Sequence, residues 1–138
     1  MRQQAFDDLV VLAARVLVAL VFIYDAVLLV RSPAGNASYM MQYGVPALLL
    51  YPAALLEFVG GLMLVAGFAV RPVALALAGF CLLTALIFHH DLASAGEAIE
   101  FGKDIGLAGG LLCLYLQGAG ALSFDAVRRR APGRVQPG

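Results

Sequence analysis

The stretch that decides the fold runs from Ala47 to Val70 and reads ALLLYPAALLEFVGGLMLVAGFAV. It is apolar except for Glu57 near its centre, and it exceeds the roughly 20 residues that a helix needs to cross a hydrocarbon core of about 30 Å. A carboxylate at the centre of such a helix costs roughly 2.5 to 3.5 kcal/mol on insertion scales, so it is rarely kept without a partner or a task. We therefore expect Glu57 to face the protein interior.

The composition extends this interpretation to the whole chain. Hydrophobic residues make up 62% and charged residues 13% of the 138 residues, whereas soluble domains have about 45 to 50% apolar and about 25% charged residues. Backbone groups in lipid must be satisfied within their own segment, so apolar segments of this length predict helices. The sequence predicts an all-α integral membrane protein, an antiparallel bundle of four helices at about Leu9 to Val30, Pro46 to Ala69, Pro72 to His90 and Ala98 to Gln117.

Lys and Arg in the flanks predict the orientation. One side of the bundle holds more of them than the other, which indicates that both termini face the cytoplasm; the basic residues on that side are Arg2, Arg71, Arg128, Arg129, Arg130 and Arg134. Residues 1–127 then form the membrane domain, with 31–45 an outer loop, and 128–138 a basic, flexible tail at the anionic inner leaflet. The first segment is too long for a signal peptide and carries Arg15 and Asp25, so we expect it to stay.

Ionisable residues from all four helices are predicted to lie in the outer half of the bundle. They are Asp25, Glu57, His89, His90, Lys103 and Asp104. Carboxylates and a histidine could form a proton relay. A metal site is disfavoured, since neighbouring histidines on a helix diverge by about 100°. An ion-pair network that only fixes helix register, Lys103 with Glu57 or Asp25, stays open beside the relay.

Small residues spaced four apart predict where helices pack closely. Ala53 and Gly61 flank Glu57 on the second helix, and the row on the fourth helix is Gly102, Gly106 and Gly110. Such rows let backbones approach each other in lipid. Arg15, near the inner end of the first helix, is expected to extend its side chain toward the headgroups.

Two longer segments carry a family resemblance. GVPALLLYPAALLEFVGGLMLVAGFAVRPVALALA (44–78) and FGKDIGLAGGLLCLYLQGAGALSFDA (101–126) resemble the DoxX family of small four-helix bacterial membrane proteins. The shared pattern is a Gly-x-Pro entry, a mid-helix Glu followed by glycines, a Gly-x-x-x-Arg turn, a Lys-polar pair and a closing Gly-x-Gly-x-x-Ser-x-Asp. The resemblance covers most of the chain from Ala13 onward.

The resemblance implies a protein of the bacterial inner membrane associated with respiratory or redox-defence assemblies, among them the membrane subunit of a thiosulfate:quinone oxidoreductase. The matching positions are Glu57, Lys103 and Asp104. The family's pair usually reads Lys-Asn, and a basic residue near the end of the first helix is here preceded by Asp25. Both departures add negative charge, which argues against an anionic substrate such as thiosulfate.

We therefore expect an accessory subunit of a redox or respiratory complex, rather than an enzyme acting alone, that docks a partner enzyme and contributes to a quinone or proton site. Glu57 and Asp25 are the candidate proton relay; the candidate quinone or ligand site comprises Glu57, His89, Lys103 and Asp104. No phosphate, dinucleotide or haem motif is present, nucleic-acid binding has no support in a net charge of zero, and lone Cys81 and Cys113 indicate apolar fillers rather than thiol chemistry. The alternatives are a membrane anchor or assembly scaffold, and a small-solute carrier acting as a homo-oligomer.

Overall fold

The structure is a computed structural model that describes residues 1–130, and this part of the chain is helical without strands. The prediction of an all-α protein is confirmed. Six α-helices follow one another, with one turn of 3-10 helix, Ala47–Leu49, leading into the third. They are α1 (Arg2–Arg31), α2 (Pro33–Gln42), α3 (Leu50–Ala66), α4 (Val70–Phe88), α5 (Ala95–Gln117) and α6 (Phe124–Arg130).

Three stretches of helix are long and apolar enough to cross a membrane: α1, Ala47–Ala66 and α4. These correspond to the first three predicted spans. Helix α5 has 23 residues, which at about 1.5 Å per residue would also be long enough, but its first half carries Glu97, Glu100, Lys103 and Asp104 and it does not meet the same standard of hydropathy and charge. The fourth span and the orientation of the termini therefore stay predictions.

Two segments differ from their predicted form. The expected outer loop contains helix α2, which begins with Pro33, because a proline at the first helical position has the right φ and needs no hydrogen-bond partner for its nitrogen. Of the predicted flexible tail at 128–138, residues 128–130 complete α6, and residues 131–138 lie outside the described part of the chain.

The long helices pack as two pairs, α1 along α3 and α4 along α5, with α3 and α4 joined by a tight turn. A Cβ added at Gly61 would lie 2.7 Å from Ile23 Cγ1 of α1, so this glycine is needed for the close approach of α1 and α3. The predicted packing role of the small residue beside Glu57 is thus confirmed. On the α4 side, a Cβ at Gly60 would meet Leu77 at 3.2 Å.

The glycine row of α5 does not pack on another helix. A Cβ added at Gly102, Gly106 or Gly110 would meet no atom within 4 Å among the described residues, so the prediction that this row is a packing surface within the chain is wrong. The core instead uses the alanine and leucine face of α5. Its buried residues come from all four long helices and include Ala19, Phe22, Leu64, Ala74, Leu77, Cys81, Ala108, Leu111 and Leu114.

The cysteines differ from each other. Cys81 is buried in this core, as expected for a small apolar filler, whereas Cys113 is exposed on α5. The prediction for Cys113 is therefore wrong, because Cys113 lies about 100° around α5 from Leu114 and about 160° from Leu111, the residues that define the buried face.

We call the end of the molecule that contains the α3–α4 turn the turn end, and the opposite end, where α2 lies, the α2 end. Arg15 lies at the turn end with 0% of its surface exposed, and its Nη2 donates a hydrogen bond to the Leu122 carbonyl. The expectation that Arg15 reaches toward the headgroups is wrong. After α5 the chain turns back through Gly118 and Gly120, both at positive φ, and thereby covers the guanidinium.

The segment after α5 also binds the α3–α4 turn. Asp125 accepts hydrogen bonds from the backbone N–H groups of Ala69 (3.1 Å) and Val70 (3.4 Å), the first donors of α4. The Asp125 N–H donates in return to the Gly67 carbonyl at 3.1 Å. The closing Gly-x-Gly-x-x-Ser-x-Asp motif therefore holds the turn end together.

Candidate functional site

A cavity of about 670 Å³ opens at the α2 end, between the α1–α3 pair and the α4–α5 pair. Its position follows from the helix packing. Gly60 contacts Leu77 close to the turn, and above that contact Glu57 of α3 and Phe80 of α4 line open space. The lining is largely apolar, and its side chains come from α1, α2, α3, α4 and α5.

Helix α2 covers part of this cavity and is attached through aromatic contacts. Tyr39 stacks on Phe88 with ring centroids 5.7 Å apart, and Tyr43 meets the same ring edge-on at 5.4 Å. Asn36 donates from Nδ2 to the carbonyls of Leu28 and Leu29 at the end of α1. Burial and the adjacent Tyr43 hydroxyl raise the pKa of Tyr39 above its ordinary value. Sequence reasoning missed Asn36 and Tyr39 as lining residues because the segment was interpreted as a loop.

The structure brings the five predicted site residues to this one cavity. Asp25, Glu57, His89, Lys103 and Asp104 all line it. They come from four different helices or helix ends. His90, the other member of the histidine pair, is exposed.

Glu57 is the most isolated of the five. Only 5% of its surface is exposed, and within residues 1–130 its carboxyl group has no hydrogen bond and no ion pair. The ion pair with Lys103 that the sequence left open is not formed. Its oxygens are open to the cavity rather than enclosed by protein, so this carboxyl group is available to a ligand that enters the cavity.

Lys103 is instead held between two other carboxylates. Its Nζ lies 2.7 Å from Glu100 Oε2, one turn earlier on α5, and 4.0 Å from Asp25 Oδ2 on α1. The Lys103 and Asp25 side chains are 40% and 39% exposed, and ion pairs of this exposure contribute about 0 to 1 kcal/mol. This pairing links α1 to α5 but contributes little to stability.

Asp104 is buried and bound to a residue that sequence reasoning missed. Its Oδ2 lies 3.0 Å from the Thr84 hydroxyl, which also lies 2.9 Å from the Cys81 carbonyl. Because a hydroxyl has one hydrogen, Thr84 can donate either to Asp104 or to a carbonyl group of its own helix. The contact links α4 to α5. A single threonine in an apolar helix was the only signal for it.

His89 is paired at the mouth of the cavity. Its Nδ1 lies 2.9 Å from Glu97 Oε2, which connects the end of α4 to the first turn of α5. Within the described residues no group of three or more His, Cys, Asp and Glu side chains is arranged to hold a metal ion. His89 thus contributes a polar rim to the cavity.

Comparison with known proteins places the chain among the DoxX proteins. A family model described as DoxX matches residues 10–90, the greater part of the chain. The chain belongs to the DoxX family. The inner membrane protein YqjF of Escherichia coli (strain K12) is 41% identical over 119 residues, which cover 86% of this chain and 92% of that protein. The inner membrane protein YphA of the same organism is 33% identical over 128 residues, covering 88% and 91%.

These relatives and the apolar helices together make this DoxX protein a multi-pass protein of the bacterial inner membrane. The predicted family and location are confirmed. The residues matched by the family model include Asp25, Glu57 and His89 but end before Lys103 and Asp104. No solved structure matches the chain significantly.

Proposed function

We propose that this protein is an accessory subunit of a redox or respiratory assembly, and that its cavity holds the head group of a quinone-type amphiphile in the outer half of the bilayer, with both termini in the cytoplasm. The observation that carries the proposal is the buried, unpartnered carboxyl group of Glu57 on the wall of a largely apolar cavity. Such a cavity offers a place for an aromatic ring, and Glu57 offers it one polar contact.

The size of the cavity supports a small amphiphile. Sites for small molecules usually measure about 300 to 1,000 Å³, with apolar walls and few polar groups, and this cavity has about 670 Å³. Leu49, Leu56 and Leu83 line it and are also exposed on the protein surface. An isoprenoid tail could therefore leave the cavity between α3 and α4 and enter the lipid.

The carboxyl groups support a role in proton transfer. Carboxylates inside membrane bundles are the usual components of proton relays. Glu57 is buried, and Asp25 is about two-fifths exposed beside Lys103, so a proton released at the ligand would pass from Glu57 to Asp25 and then to the α2 end.

The electrons require another protein. The chain has no motif for an electron-carrying centre, and proteins that use quinones leave the electron chemistry to a cofactor. We therefore propose that a partner enzyme docks on this subunit and supplies the redox centre, while this chain binds the quinone head and handles its protons.

The test uses native membranes and the substitution Glu57→Gln, with Asp7→Asn as the control because Asp7 is exposed and far along α1 from the cavity. The partner is first identified by native mass spectrometry of the gently extracted complex. General acid–base groups contribute about a hundredfold or more to rate, so Glu57→Gln should lower quinone-dependent electron transfer by about a hundredfold with assembly unchanged. Normal turnover by the assembled Glu57→Gln complex would exclude the proton role.

A scaffold is the second candidate, favoured by the polar contacts between helices: Lys103 with Asp25, and Thr84 with Asp104. If these contacts only fix helix register, Glu57→Gln should change the amount of complex or its stability and leave the specific activity of each assembled complex unchanged. The same membranes therefore separate the two functions.

A further inference from the structure

We propose that the turn end binds the phosphodiester head of an anionic phospholipid, in a second cavity whose wall carries Arg71 and Arg129. This cavity measures about 350 Å³ and lies between the start of α4, the end of α5 and the turn at 118–120. It is at the opposite end of the molecule from the cavity that contains Glu57. The assignment therefore does not depend on the function proposed above.

The arginines of this cavity have no anionic partner in the described protein. Arg71 and Arg129 form no ion pair within residues 1–130, although Asp125 lies one turn before Arg129 on α6. Asp125 already accepts hydrogen bonds from the backbone N–H groups of Ala69 and Val70. The wall thus carries two positive charges and one negative charge, and the two guanidinium groups are available to an anion. Guanidinium groups bind phosphate oxygens through paired, charge-assisted hydrogen bonds.

The cavity lies at the depth of the lipid head groups. Helix α4 has 19 residues, which span about 28 Å at about 1.5 Å per residue, and the hydrocarbon core is about 30 Å thick. Because the whole of α4 is needed to cross this core, its second residue, Arg71, stands at the edge of the hydrocarbon, next to the layer of lipid phosphates. Basic cavities between membrane helices at this depth are binding sites for phospholipid head groups.

The helix surfaces below the cavity have room for an acyl chain. Pro72 and Gln117 line the cavity. Gly79 follows Pro72 by about two turns of α4, and Gly110 precedes Gln117 by about two turns of α5, so each glycine lies below the cavity on the same face of its helix. A Cβ added at either glycine would meet no atom within 4 Å among the described residues. An acyl chain can therefore lie against the glycine row of α5, which packs on no other helix. A free phosphate ion shares the chemistry of the head group but would leave this surface unused.

The experiment measures lipid binding to the full-length protein in detergent by native mass spectrometry. The probes are dioleoylphosphatidylglycerol, which is anionic, dioleoylphosphatidylcholine, which has the same acyl chains and no net charge, and inorganic phosphate. The wild-type protein is compared with Arg71→Gln and Arg129→Gln. Arg128→Gln is the matched control, because it removes the same charge from the neighbouring position of α6 and Arg128 does not line the cavity. Circular dichroism checks that each variant is folded.

We expect the wild-type protein to bind phosphatidylglycerol about tenfold more tightly than phosphatidylcholine, since two arginines favour the lipid with net negative charge. Arg71→Gln and Arg129→Gln should each lower the affinity for phosphatidylglycerol about tenfold, the effect of one lost hydrogen bond to a charged group. Arg128→Gln should lower it about twofold or less, because a charge in solvent outside the cavity is screened.

Three results would overturn the inference. Equal binding of the two lipids by the wild-type protein would exclude recognition of the anionic head, and this comparison needs no variant, so it stays decisive even where a variant misfolds. Equal losses in Arg128→Gln and Arg129→Gln would show attraction to the whole basic surface rather than binding in the cavity. Arginine-dependent binding of inorganic phosphate that is as tight as that of phosphatidylglycerol would assign the cavity to a free anion instead of a lipid.

Discussion

Replacing Gly67 with alanine tests whether the contacts at the turn end hold the helices together. Gly67 has φ +70°, and a Cβ there would overlap Arg15 Nη1 and lie 2.9 Å from Ser123 Cα. The left-handed conformation costs an alanine about 1 to 2 kcal/mol. The added methyl group also displaces the guanidinium from the Leu122 carbonyl, and a hydrogen bond to a charged group contributes about 1.5 to 3 kcal/mol. Gly67→Ala should therefore lower the free energy of unfolding by about 2.5 to 5 kcal/mol.

The assay is unfolding in mixed micelles with increasing sodium dodecyl sulfate, followed by circular dichroism. Gly79→Ala is the matched control, because Gly79 lies within α4 and a Cβ there meets nothing within 4 Å. In a helix interior, replacing glycine with alanine should raise the free energy of unfolding by about 1 kcal/mol or less. The reasoning is refuted if Gly67→Ala and Gly79→Ala unfold within about 1 kcal/mol of each other, the size of the propensity effect alone.

Three further substitutions test other contacts by the same unfolding assay. Gly61→Ala should lower the free energy of unfolding by about 1 to 3 kcal/mol through overpacking against Ile23. Gly106→Ala, whose added Cβ would have nothing within 4 Å, should raise the free energy of unfolding by up to about 1 kcal/mol. Equal effects at both sites would contradict the tight α1–α3 contact. Asp125→Ala should lower the free energy of unfolding by about 1 to 2 kcal/mol because two N–H groups at the start of α4 lose their acceptor. Hydrogen exchange at those two amides should become faster, and unchanged exchange would contradict the capping role of Asp125. Glu57→Leu should raise the free energy of unfolding by up to about 3 kcal/mol, the cost of burying a polar group without a hydrogen bond, and a less stable variant would show that Glu57 has a partner in the folded protein.

The sequence could predict the helical class and the first three spans because apolar length alone determines whether a helix crosses a bilayer. It could not predict what each helix face contacts. Gly61 and Gly106 both belong to rows of small residues, yet only Gly61 faces another helix. Residue spacing tells which side chains share a face, but the rotation of that face toward a neighbour depends on the whole bundle.

The candidate site was predictable to the extent that it consists of charges in apolar helices. Asp25, Glu57 and Asp104 stand out in the sequence because an ionisable group in such a helix is expensive. Thr84 and Asn36 do not stand out, since hydroxyl and amide side chains are common in membrane helices and loops. Their contribution depends on partners from other helices, Asp104 for Thr84 and the α1 carbonyls for Asn36.

Arg15 and Glu57 carry the same sequence signal and have opposite surroundings. Each is a charge within an apolar helix, and each is buried. Among the described residues, Arg15 Nε and Nη1 have no hydrogen-bond partner, and Glu57 forms no hydrogen bond or ion pair. Arg15, however, occupies the space that the missing side chain of Gly67 leaves free, is bonded to Leu122 and does not line the cavity. Glu57 faces about 670 Å³ of open space. A buried charge that is packed against the protein on all sides stabilises the fold, whereas a buried charge that faces open space can bind a ligand. For that reason we assign the function to Glu57.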